Sequence, residues 1–185
     1  KLAWTGDEYG IAWTDQADLT NEVYFGRISG VGEVQDGQVR VSSLGGTSTG
    51  PSLVWTGSEY GMVWQDSRDG NYEIYFARVS ESGELLGDEV RVTETDEYSS
   101  YPSLVWTGAE YAVAWQEGSF GSTEIYFARL ASDGSVLGDL VRVTSSDGDA
   151  RAPSLVYNGE TYALAWQDSR DGNDEIYFVT VGGCF

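Results

Sequence analysis

The sequence predicts an all-β fold: a β-propeller of four blades, either closed on itself or forming an arc of a larger ring. Three observations predict it. First, the chain repeats with a period of 51 residues: Trp4, Trp55, Trp106 and Tyr157 are evenly spaced, as are Trp13, Trp64, Trp115 and Trp166, and Glu22, Glu73, Glu124 and Glu175. Second, each unit reads as short apolar, β-branched and aromatic segments divided by turn residues, with nothing long enough for a good helix. Third, the first three segments of a unit are apolar throughout while the fourth alternates, which suits sheets stacked face to face with the fourth strand outermost. A period near 50 residues fits propeller blades better than the shorter coils of a β-solenoid.

Taken in order, "PSLVWTG" is an inner strand that turns at Thr-Gly, and "EYGMVWQD" is the second strand. "EIYFARV" is the third and "DEVRVTE" the fourth, with "TGSE", "DSRDGNY" and "SESGELLG" as turns between them. The repeats divide a single domain, 1–185, at 1–50, 51–101, 102–152 and 153–185. The last unit ends in "EIYFVTVGGCF" without an "EVRV" segment, so its blade is expected to have three strands, or to be completed by another segment or copy. Cys184 stands at that seam; it cannot pair within the chain because it is the single cysteine.

Composition narrows the partners. Thirty acidic residues against ten basic ones give a net charge of −20, which disfavours nucleic acid and anionic lipid. No apolar run spans a bilayer. Histidine is absent, which removes the usual neutral-pH base, the Ser-His-Asp triad and the commonest zinc ligand.

The pattern W-x-D-x-R-x-G-N-x-x-I-Y, seen in "WQDSRDGNYEIYF" and "WQDSRDGNDEIYF", resembles β-propeller repeats of secreted and surface-attached bacterial proteins. The likeness covers the whole chain and implies an extracellular or cell-surface location. It is distantly similar to integrin-type calcium-loop propellers, although Arg68 stands where that loop would place a ligand. Sialidase Asp-box spacing is broken, since Gly70 follows Asp69 directly.

Alternate loops of an antiparallel blade emerge on one face. The loop between the second and third strands therefore shares a rim with the linker to the next blade, which gathers Glu94, Asp96 and Glu97 beside it. Such a rim suits calcium, which takes six to eight oxygens. The candidate ligands are Asp66, Asp69, Asn71 and Glu73 in unit two, and Asp168, Asp171, Asn173 and Glu175 in unit four. Unit one keeps Asp15, Asp18 and Glu22, and unit three keeps only Glu117 and Glu124. The alternative is turn chemistry alone, with each recurring Glu paired to an Arg of its own or a neighbouring blade. Trp55 and Tyr60 are expected to pair across a turn, and Trp64 and its equivalents to pack between blades. Tyr98, Tyr101 and Phe120 fall in rim loops that vary between units, which makes them the candidate ligand contacts.

Repeated loops suit a non-catalytic, lectin-like adhesion module for a protein or glycan. An enzyme is not expected, because no carboxylate is singled out by its neighbours. The alternatives are a sialidase- or glycosidase-like enzyme, which needs a carboxylate pair across a pocket, and a structural unit of a surface assembly.

Overall fold

The computed structural model describes residues 1–17, 20–35, 37–145 and 147–182. They form four antiparallel sheets, with no helix among the described residues. Sheet one holds β1 (Leu2–Trp4), β2 (Glu8–Ala17), β3 (Thr20–Ser29) and β4 (Val39–Arg40). Sheet two holds β5 (Ser48–Trp55), β6 (Glu59–Asp66), β7 (Glu73–Ser80) and β8 (Val90–Arg91). Sheet three holds β9 (Ser99–Trp106), β10 (Tyr111–Glu117), β11 (Glu124–Leu130) and β12 (Val136–Arg142). Sheet four holds three strands, β13 (Ala150–Tyr157), β14 (Thr161–Asp168) and β15 (Glu175–Gly182). Within each sheet the strands lie in chain order, so every blade is a meander.

The first hairpin of each sheet is set by one side chain. Thr56 Oγ1 accepts the N–H of Glu59 at 3.0 Å, and Thr5 and Thr107 do the same for Glu8 and Glu110 at 3.1 Å. In sheet four the Asn158 side chain takes over, accepting Thr161 N–H at 2.8 Å. Each such turn then needs a left-handed residue, supplied by Gly57 (φ 104°) and its equivalents. The turn fixes the register that pairs Trp55 with Tyr60, ring centroids 4.6 Å apart. The outer ladders β4 and β8 are shorter than the "DEVRVTE" segment predicts. Past Arg91 the Thr93 hydroxyl, not the backbone, meets Ile74 N–H at 2.8 Å.

Consecutive sheets stack face to face, and three apolar clusters fill the spaces between them. One wedge recurs at each interface. Tyr60 of sheet two lies 4.7 Å from Phe25 of sheet one, Tyr111 lies 4.9 Å from Phe76, and Tyr162 lies 5.0 Å from Phe127. Each phenol reaches a glutamate of the preceding sheet: Glu8, Glu59 and Glu110 respectively. Those glutamates pair with Arg27, Arg78 and Arg129. Trp64 and Trp115 are fully buried in these layers, as core residues should be.

The arrangement is an open arc. The innermost strands β1, β5, β9 and β13 follow one another about a common axis, but among the described residues sheet four does not stack on sheet one. Phe178, the counterpart of Phe25, Phe76 and Phe127, is 65% exposed, and Ile176 is 77% exposed. Thr161 and Thr180 stand in sheet four at the places of Glu110 and Arg129.

Candidate functional site

The inner strands begin at one end of the axis, around a depression of about 290 Å³ whose lining includes Gly50, Tyr101, Pro102, Ala152 and Pro153. The inner strands β5, β9 and β13 bulge there. Gly50, Tyr101 and Ala152 all adopt left-handed backbone, at φ 65°, 55° and 50°. For Tyr101 and Ala152 that conformation costs on the order of 1–2 kcal/mol. It is held by neighbouring blades: Gln65 Oε1 accepts Tyr101 N–H at 2.9 Å and Gln116 Oε1 accepts Ala152 N–H at 3.0 Å. Tyr101 is 60% exposed at this mouth, so the strain presents an aromatic ring to solvent. Phe120 and Tyr98 are exposed on the same rim. The opposite end of the axis is a wider depression of about 420 Å³ ringed by Trp4, Trp55, Trp106 and Tyr157.

The rim carboxylates are largely engaged by their own blades. Asp66 is buried and accepts from Ser48, the Trp64 indole and the Arg68 backbone and guanidinium. Burial opposes its charge, but these hydrogen bonds, led by Arg68, hold its carboxyl below the ordinary value. Asp168 repeats the arrangement with Trp166 and Arg170, and Arg170 draws it down to about 2. The arginine that interrupts the integrin-like loop pattern is thus the partner of these aspartates. Asp69 and Asp171 accept from Tyr75 and Tyr177. Asn71 bridges to the backbone carbonyls of Thr95 and Glu97, which brings the hairpin and the linker onto one rim as the meander requires.

Glu73 is fully buried and bound by Thr93, Arg91 and the Thr95 N–H, all within its own blade rather than between blades. Glu124 is held similarly by Thr144 and Arg142. Glu22 is held by Ser42 and Thr20. Glu175 is exposed, with Asn173 Nδ2 at 2.6 Å. Asp15 is exposed. Asp18 and Cys184 lie outside the described residues. Among the described residues no group of three or more Asp, Glu, Cys or His side chains is set to hold a metal ion.

Blade three breaks the repeat at three linked positions. Glu117 replaces the aspartate of Asp66 and Asp168, Ser119 replaces Arg68 and Arg170, and Glu97 replaces Gly46 and Gly148. The last change depends on local backbone. A Cβ at Gly46 or Gly148 would come within 2.3 or 2.4 Å of the Arg68 or Arg170 nitrogen, whereas Glu97 accepts a hydrogen bond from Ser119 at 3.2 Å. Glu117 keeps the Trp115 indole at 3.1 Å and Ser99 at 3.3 Å but has no arginine within ion-pair distance among the described residues. Burial pushes its carboxyl up, the two hydrogen bonds pull back, and the charges of Glu73 and Glu97 add to the rise. A carboxyl whose affinity for its proton is raised, beside a second, exposed carboxylate, has the character of a proton donor.

The sequence matches no protein-family model and no curated protein. Similar solved structures cover nearly all of it. One is an endo-arabinase from Bacteroides thetaiotaomicron, at TM-score 0.63 and 13% identity over 97% of this chain and 73% of that one. Another is the subtype N10 neuraminidase-like protein of the A/little yellow-shouldered bat isolate, at 0.65 and 11% over 96% and 56%. A third is a thermostable family-43 glycoside hydrolase, at 0.61 and 10% over 100% and 73%. At these identities the likeness shows the propeller fold. It also corrects the expectation that the chain is not an enzyme, since its neighbours are mostly glycoside hydrolases. The physical reason is plain: glycoside hydrolysis uses paired carboxylates and no histidine. Glu117 is a carboxylate that departs from the repeat, against the expectation that none is singled out. Its signal in the sequence was the joint loss of the aspartate and the arginine in "EGSFGSTE", which reads equally well as a decayed turn.

Proposed function

We propose that this chain is the carbohydrate-acting part of a propeller glycosidase, with the saccharide bound on the rim of blade three beside Glu97 and Glu117. Glu117 is the acid: its proton passes to the glycosidic oxygen as the C–O bond breaks and the bonding pair leaves with that oxygen. Glu97 is the partner carboxylate: it takes a proton from a water molecule whose oxygen forms the new bond to the anomeric carbon. Tyr101 and Phe120 offer exposed rings for stacking on sugar faces. The single observation that carries this reading is the threefold departure of blade three from its repeat, which leaves Glu117 half-buried, without an arginine and next to a second carboxylate. The neighbours' enzyme classes support the choice of substrate class.

The test is hydrolysis of arabinan and of aryl arabinosides, xylosides, galactosides and sialosides by the wild type and by Glu117→Gln and Glu97→Gln. The reading expects turnover of at least one substrate, lowered by about 100-fold or more in Glu117→Gln, the scale of a lost general acid. Hydrolysis that is equally fast in Glu117→Gln, or no turnover of any substrate by folded wild type, overturns it.

A further inference from the structure

In the first three sheets the outer strand is seated in one socket. In sheet two, Ile74 C=O accepts Val92 N–H at 2.8 Å, and Ile74 N–H donates to Thr93 Oγ1 at 2.8 Å. The Thr93 hydroxyl donates to Glu73 at 2.5 Å, and Arg91 reaches Glu73 at 3.1 Å. Sheet three repeats every contact, with Ile125, Thr144, Glu124 and Arg142. Sheet one repeats the backbone and hydroxyl contacts, with Val23, Ser42 and Glu22. The three occupants read Val-Arg-Val-Ser at 39–42 and Val-Arg-Val-Thr at 90–93 and 141–144.

Sheet four has the same socket. Its residues Glu175, Ile176, Tyr177 and Phe178 are identical to Glu73–Phe76. Arg170 stacks 4.2 Å over Tyr177, as Arg68 stacks 4.3 Å over Tyr75, so the local geometry is kept. Yet among the described residues no strand pairs with the outer edge of β15, and Glu175 faces solvent. We propose that this edge is the docking site for a further strand of sequence Val-Arg-Val-Ser/Thr from outside residues 1–185. The strand would add antiparallel to β15, with its Arg opposite Tyr177 and paired to Glu175. Its hydroxyl would sit between Ile176 N–H and the Glu175 carboxylate. The occupant is specified by the three internal copies, and a chain of net charge −20 favours an arginine-bearing segment over an acidic one.

The test titrates the isotope-labelled protein with an end-capped peptide of residues 140–145, which carries the arginine and no acidic residue, against a scrambled peptide and an Arg→Ala peptide. Saturable one-to-one binding that shifts the Ile176 and Tyr177 amide resonances and raises the melting temperature supports the proposal. So does a loss of roughly fivefold or more with the Arg→Ala peptide or with Glu175→Ala, the scale of one charged hydrogen bond. Glu175 is exposed, so this variant keeps its fold. Equal binding of the scrambled peptide, unchanged affinity in Glu175→Ala, or no saturation by about 1 mM overturns the proposal. A dimer formed through this edge that the peptide cannot dissociate also overturns it.

Discussion

At the scale of single residues, the same repeat position carries opposite acid–base character in different blades. Asp168 is drawn down to about 2 by Arg170, from an ordinary 3.8. A depressed native value means stability that is present above 3.8 and is lost as the pH falls through about 2. Asp168→Asn should therefore cost on the order of 1–2 kcal/mol at pH 7, discounted because Arg170 is partly in water, and much less near pH 2. Glu117 is raised from 4.5 by burial, so its protonated form suits the fold. Its stabilising contribution is complete below 4.5 and falls away as the pH rises through the raised native value. Glu117→Gln should then melt no lower than wild type at pH 7, with any advantage shrinking as the pH falls to 4.5. Melting curves from pH 2 to pH 7 check both signs, and a Glu117→Gln protein markedly less stable at pH 7 would refute the raised native value.

At the scale of elements, each sheet-to-sheet contact relies on a tyrosine seated over a small residue. A Cβ on Gly61 would lie 2.2 Å from the Tyr111 ring, yet Ala112 occupies the corresponding place beneath Tyr162. The wedge can therefore shift to admit a methyl group but not a branched side chain. Gly61→Ala is expected to cost about 1–2 kcal/mol and Gly61→Val clearly more, measured by denaturant unfolding. Most of this level was legible in the sequence. The 51-residue period placed the strands, and the Thr-Gly turns fixed the Trp55–Tyr60 pairing. The side-chain assignments on the rim were less legible. "DSRDGN" does not say whether Asp66 faces a cation or the arginine two residues later, because both readings use the same carboxylate and the same turn.

At the scale of the whole molecule, the decisive feature lies between copies of the repeat, where sequence carries the least information. The residues Glu-Ile-Tyr-Phe occur at 73–76 and again at 175–178. In the first set Ile74 and Phe76 are buried because sheet three lies against them. In the second set Ile176 and Phe178 are 77% and 65% exposed because no sheet follows among the described residues. Identical residues give opposite burial, so the opening of the arc could be seen only in three dimensions. It also means that the four blades differ in how much each contributes to stability.

The most direct measurement of this architecture is the unfolding free energy of four matched variants: Phe25→Ala, Phe76→Ala, Phe127→Ala and Phe178→Ala. An open arc stacked in chain order predicts losses of about 3–5 kcal/mol for the first three, each of which leaves a tyrosine wedge without its ring. It predicts less than about 1 kcal/mol for Phe178→Ala, a change at an exposed surface. A loss for Phe178→Ala equal to the other three would mean that sheet four packs against sheet one in solution, and would contradict the open arc.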